Sequence, residues 1–164
     1  MLDVIVALIA LSGGGEGSAA SQQAGADAAA APEQAAPALV AEPQVATGQF
    51  TTALEVRPIL NATKGNWVAV REFNGQDLVY VTHLWAWRCG LAQIEFSVNG
   101  APLEAWPMPP CHLGTAMPNA VTGEDGLPYR AFALGSVGSV SVRITYDDLG
   151  VEEASWQRAQ VLMP

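Results

Sequence analysis

Scarcity narrows the function of this chain first. Lys64 is its only lysine, and the six arginines are scattered. A nucleic-acid binder needs Lys and Arg clustered to displace counterions from phosphates, so no nucleic-acid partner is expected and an anionic membrane surface is a poor one. Long apolar runs are missing as well. Leu2 to Leu11, the most apolar stretch, is ten residues, half of the roughly 20 that a bilayer-spanning helix requires, so no stable membrane span is expected. There is no Gly-x-Ser-x-Gly elbow, phosphate loop, His-Glu-x-x-His or dinucleotide fingerprint, so the sequence assigns no catalytic residue and no cofactor.

What is present changes character along the chain. The apolar run is followed by Ser12-Gly13-Gly14-Gly15 and small residues around Ser18-Ala19-Ala20, the layout of a secretory signal with Ser18 and Ala20 at the −3 and −1 positions. Residues 1–20 therefore read as a signal peptide and the product as periplasmic or secreted. One feature departs from that pattern: no Lys or Arg precedes the run, and Asp3 puts a negative charge at its start. Gly14 stands where a lipoprotein signal carries its cysteine, so no lipid anchor is expected. From Ala19 to Ala46, 13 of 28 residues are alanine, broken by Pro32, Pro37 and Pro43. Little apolar surface is available there to offset ordering entropy, and residues 21–46 read as a disordered linker.

The remaining 118 residues, from Thr47 to Pro164, hold all five tryptophans and suit a single core. Arg57 to Gly65 reads as a short helical turn with Pro58 early in it. Trp67 to Phe73 is rich in β-branched and aromatic residues and ends at Asn74-Gly75, a hairpin signal because both residues tolerate positive φ. Leu78 to Arg88 is apolar on both faces and reads as a central strand. Ile94 to Val98 alternates, Asn99-Gly100 signals a second hairpin into Ala101 to Trp106, and together these predict a meander. Prolines 107, 109, 110 and 118 predict a long loop up to about Gly126. Strands over Tyr129 to Leu134, Ser139 to Tyr146 and Ser155 to Leu162 complete an all-β expectation: a small antiparallel sandwich or open barrel of about seven strands.

Charge is divided unevenly, with five acids and no base in residues 1–46 and eleven acids against seven bases in residues 47–164. The net −9 is thus −5 in the front segment and −4 in the domain, which is only mildly acidic.

Cys89 and Cys111 are the only thiols, and in an exported chain they are expected to form a disulfide tying the central strand to the Pro-rich loop. Their spacing is not that of redox catalysis. Nor do His83, Cys89, Cys111 and His112 show the short local spacing of a structural zinc site, so no metal is assigned. Trp85 and Trp87, two apart on a predicted strand, share a face with His83 and form a candidate ligand platform, with core packing as the competing role. Trp106, beside Pro107, completes that set as the tryptophan expected to be partly exposed. The acid pairs Glu124-Asp125, Asp147-Asp148 and Glu152-Glu153 lie beside glycines and read as polar turns.

The segments Gly65-Asn66-Trp67-Val68-Ala69-Val70-Arg71-Glu72 and Trp87-Arg88-Cys89-Gly90-Leu91 resemble parts of small exported hypothetical proteins of alphaproteobacteria, over roughly residues 54–164. The resemblance implies export and a bacterial origin, and it carries over no activity and no functional residue. The sequence reading is then a non-catalytic binding or accessory domain of the cell envelope with a glycan or an envelope protein as partner. The alternatives are a cell-envelope glycan hydrolase and a protein-binding inhibitor or assembly subunit.

Overall fold

The computed structural model describes residues 37–164. The expected signal segment and most of the linker lie outside the described residues. Among the described residues seven strands form two antiparallel sheets, with few helices, so this part of the chain is mostly β. The order of elements is helix α1 (Ala53–Ala62), strands β1 (Ala69–Phe73) and β2 (Gln76–Tyr80), and a helical turn α2 (Thr82–Trp85). Strands β3 (Leu91–Val98), β4 (Glu104–Trp106), β5 (Tyr129–Ala133), β6 (Ser139–Tyr146) and β7 (Val151–Gln157) follow, before a final turn α3 (Arg158–Val161). One sheet runs β1-β2-β5 and the other β4-β3-β6-β7.

Both Asn-Gly pairs turn hairpins. Asn74 and Gly75 have φ of 48° and 74° between β1 and β2, and Asn99 and Gly100 have 56° and 73° between β3 and β4. Alternation sets the inner faces. Val140, Val142, Ile144 and Tyr146 of β6 meet Ile94 and Phe96 of β3 across the register, and Val70 and Val79 close the core from the other sheet. Helix α1 adds Val56 and Leu60, and Trp67 is fully buried with its indole N–H donated to the Leu60 carbonyl at 3.0 Å.

Four expectations are corrected. The long central strand ends at Tyr80, and residues 82–90 form α2 and a 3-10 turn, Arg88–Gly90. This segment crosses from one sheet to the other with Leu84, Trp85 and Arg88–Gly90 buried and Thr82 exposed. A short continuous apolar run does not distinguish a strand from such a helical turn. The crossing also breaks the meander, because β2 and β3 belong to different sheets.

The last strand starts at Val151, four residues before the expected Ser155, and residues 158–161 are helical. Its inward positions are Glu152, Ala154 and Trp156, so only one large apolar side chain marks the buried face. Helix α1 starts at Ala53, earlier than the expected turn, and Pro58 lies inside it. The Ala53 N–H donates to Asp147 Oδ1 at 2.8 Å, satisfying one of the amides that every helix start leaves open. The packed chain extends back ahead of Thr47: the Glu42 N–H donates to the Asp147 carbonyl, and the Gln44 side chain bonds both Asp147 and Leu54.

An ion pair with a buried carboxylate joins β2 to α3, the turn that follows β7. Asp77 in β2 has no exposure and accepts from Arg158 Nη1 at 2.6 Å and Nη2 at 3.0 Å, and from the Val137 N–H at 3.1 Å. The Arg158 guanidinium holds the Asp77 carboxyl far below the usual carboxylate range. A depressed folded pKa makes this contribution complete above the unfolded value of about 3.9 and lost as pH falls below it. The wild-type melting temperature should therefore drop steeply below about pH 4. Asp77→Asn should melt lower at pH 7 and lose less between pH 5 and pH 2. Thermal melts across that range check this, and equal acid slopes in the two proteins would overturn it.

Candidate functional site

The fold divides the four residues of the predicted aromatic platform among three recesses, keeping only Trp85 and Trp106 together. Trp85 ends α2 and is 3% exposed, with Trp106 at 4%. Both line a recess of about 290 Å3 with Asp125, Tyr129 and Arg130. Trp106 packs edge-on against Phe96, and the Arg130 guanidinium lies over both rings. The expected exposure of Trp106 is thus corrected: β4 turns its ring inward, opposite Ile94. Trp87 lies beyond α2, half-buried, with Phe50 edge-on to its ring at 5.3 Å, in a separate recess of about 530 Å3. Trp85 and Trp87 share no strand face, because the strand that would have aligned them is not formed.

A single buried cation organises the Pro-rich loop around these residues. Arg88, 2% exposed, donates from Nε to the Pro110 carbonyl at 3.0 Å and from Nη1 to those of Trp85 at 3.0 Å and Asn119 at 2.8 Å. Its Nη2 donates to the Ala120 carbonyl at 2.9 Å. Asp125 Oδ2 stands 3.7 Å from Nη2. The Thr122 N–H, 2.6 Å away, holds the Asp125 carboxyl below its usual range, and His112 Nε2 contributes at 3.1 Å. Beside Arg88, Cys89 and Cys111 are at disulfide distance, Sγ to Sγ 2.01 Å. The Cys89 N–H donates to Asn119 Oδ1, whose amide reaches the Gln49 and Phe50 carbonyls. The residues weighed for zinc are therefore divided among the sulfur pair, the His112–Asp125 pair and His83 elsewhere.

His83 lines another recess, on the outer side of the three-stranded sheet. Its floor is the outer face of the three-stranded sheet, Ala69 and Arg71 from β1 and Tyr80 from β2. Thr82, His83 and Ala86 form one wall, and Asn66 and Met163 form the others, around about 560 Å3. The Met163 wall is fixed by its N–H, which donates to the Val70 carbonyl at 2.8 Å. Thr63 Oγ1 donates to the Ile59 carbonyl at 2.7 Å and lies 2.8 Å from His83 Nε2. With its hydrogen so used, Thr63 accepts from Nε2–H, which leaves His83 Nδ1 as an acceptor. Burial pushes the imidazole toward its neutral form. The volume falls in the usual range for small-molecule sites, roughly 300–1,000 Å3.

Of this recess, only His83 belonged to the predicted platform. Arg71, Tyr80 and Asn66 were missed because sheet register, which sequence does not reveal, brings them together. Arg88 had a signal: a charged side chain between Trp87 and Cys89 is seldom buried unless it is paired. No family model matches the chain, and no curated protein or solved structure matches it.

The Arg88 fork makes a stability prediction. Arg88→Ala removes the donors of four carbonyls and should cost about 3–5 kcal/mol, the range for breaking a buried charged network. Arg88→Lys should recover less than half of that loss, since an ammonium lacks the planar fork. Denaturant midpoints measure both, and a near-wild-type Arg88→Lys would show that charge alone suffices.

Proposed function

We propose that this chain is an exported domain of the cell envelope, periplasmic or secreted, that binds a ligand and performs no chemistry on it. The observation that carries the reading is the recess of about 560 Å3 on a sheet face that the core does not use. Few polar groups converge on a largely apolar lining, which is the usual composition of a small-molecule site. Export is supported by the Cys89–Cys111 pair, which an oxidising compartment favours, and by the resemblance to small exported bacterial proteins. Among the described residues no helix is long and apolar enough to cross a membrane.

The hydrolase alternative is less well supported. Glycoside hydrolysis generally needs two carboxylates flanking the bond, and the three recesses that hold the platform residues contribute only Asp125 between them. That acid is already engaged by Thr122 and His112. Strand addition by a protein partner meets an obstacle at β1, whose outer edge is partly occupied by Leu162 and Met163.

Filling the recess tests the reading. The neutral dye N-phenyl-1-naphthylamine should bind the full chain saturably at one site, and Ala69→Trp, directed onto the recess floor, should abolish that binding with little change in melting temperature. Dye binding unaltered by Ala69→Trp, or release of reducing ends from peptidoglycan by the protein, would overturn it. Export is read separately from the intact mass of protein from its native host, which should correspond to cleavage near Ala20.

A further inference from the structure

We propose that the recess selects a small carboxylate with an apolar body, its carboxylate held by Arg71 and its body lying against Ala69, Tyr80, Ala86 and Met163. This inference rests on the binding reading above and names the ligand class for the same recess.

Charge accounting singles out Arg71. All seven cations lie among the described residues, and six have a carboxylate within 4 Å: Arg57 with Asp148, Lys64 with Glu152, Arg88 with Asp125, Arg130 with Glu104, Arg143 with Glu153, and Arg158 with Asp77 and Glu72. Arg71 alone has none among the described residues. A shortage of acids does not explain this, because the domain carries eleven of them against seven bases. Its sequence neighbour Glu72 is committed to Arg158 at 2.5 Å.

The guanidinium, exposed at the rim of the recess, also has an aromatic neighbour. It lies 5.0 Å from the centroid of the Phe73 ring, two residues along the same outward face. A cation stacked on an aromatic ring keeps its hydrogen-bonding edge available while giving up some of its freedom to swing into water. None of the eight lining residues is acidic, so nothing in the lining competes for the fork.

The lining fixes the number of charges as well as their sign. Arg71 is its only cation, because His83 is kept neutral by burial and spends Nε2–H on Thr63. One guanidinium matches one carboxylate, bidentately, whereas a phosphate monoester would bring a second charge with no counterpart in the lining. The chain's net charge of −9 repels anions at long range. That field is screened over about 8 Å in physiological salt, so it slows encounter more than it weakens a contact once made.

Calorimetric titration of the full chain with sodium octanoate and with 1-octanol separates this inference from the reading beneath it. Octanoate should bind at least tenfold more tightly than octanol. Arg71→Gln should reduce octanoate to the octanol level and leave octanol unchanged, and Arg71→Lys should retain part of the preference. Equal affinity of the two ligands, insensitive to Arg71→Gln, would overturn the carboxylate inference and leave the binding domain standing. Binding of neither would overturn both, and melting temperatures of the variants within a degree or two of wild type show that the loss is not one of folding.

Discussion

The structure depends most on the buried guanidinium of Arg88. From Pro107 to Pro128 the chain forms no strand and only one 3-10 turn, Gly123–Asp125. Its prolines lack an N–H, so its carbonyls cannot be paired by a regular ladder. Arginine presents five donors in a plane, and Arg88 aims them at carbonyls on both limbs of the loop, Pro110 on one and Asn119 and Ala120 on the other. A disulfide ties a single point. The guanidinium closes the loop around itself, and the contact is mainly to carbonyl dipoles, because Asp125 stands 3.7 Å away.

The same residue links the loop to the recess. Its bond to the Trp85 carbonyl fixes the end of α2, the element that carries Thr82 and His83 into the recess wall. Two residues on, Gly90 passes so close to α1 that an added Cβ would stand 2.8 Å from the Thr52 carbonyl oxygen. The Gly90 carbonyl accepts from the Asp147 N–H, and the Asp147 side chain holds the start of α1. The segment from Trp85 to Gly90 is therefore packed against the loop, the helix and the β6–β7 turn at once, so few shifts of the recess wall leave the core undisturbed. This is coupling by close packing, where interiors give little room for local adjustment.

How much of this was legible in the sequence depends on what each residue's signal reports. The Asn-Gly turns were readable because they depend on the local backbone alone. Strand β6 was readable because Val140, Val142, Ile144 and Tyr146 alternate without a break. Strand β7 was hidden in its first half, since its inward position 152 is a glutamate, which accepts from the Tyr146 hydroxyl and lies 3.1 Å from Lys64 Nζ, rather than an apolar side chain. The Leu78–Arg88 run misled because its dense apolar content looks the same in a central strand and in a segment that crosses between sheets by a helical turn. The recess was illegible for a different reason. Asn66, Arg71, Tyr80 and Met163 come from four places in the chain, and what distinguishes Arg71, the lack of a carboxylate partner, exists only after every other cation has been paired.

The two sheets differ most on their outer faces, and the difference bears on where a partner would bind. Across the four-stranded sheet the outward register places Glu95, Arg143 and Glu153 in a row, with Ser141 bonded to Ser155 beside them. Each charge there answers another, and such a face is at rest in water. Across the three-stranded sheet the outward register places Arg71, Leu78 and Ala131 in one row and Ala69, Tyr80 and Tyr129 in the next. Leu78 is only 5% exposed although it lies outside the core, and the Tyr80 and Tyr129 rings lean together at 5.0 Å. An antiparallel sheet commonly turns one face to solvent, and that face is normally polar. Here the polar side chains were spent on the other sheet, and the face left apolar is the one that carries Arg71, which has no carboxylate partner among the described residues. Core packing does not draw on that arrangement, since Val70, Val79 and Phe132 supply the apolar inward side of these strands; the carboxylate proposed above, of opposite charge and apolar body, would use the face that the core leaves free.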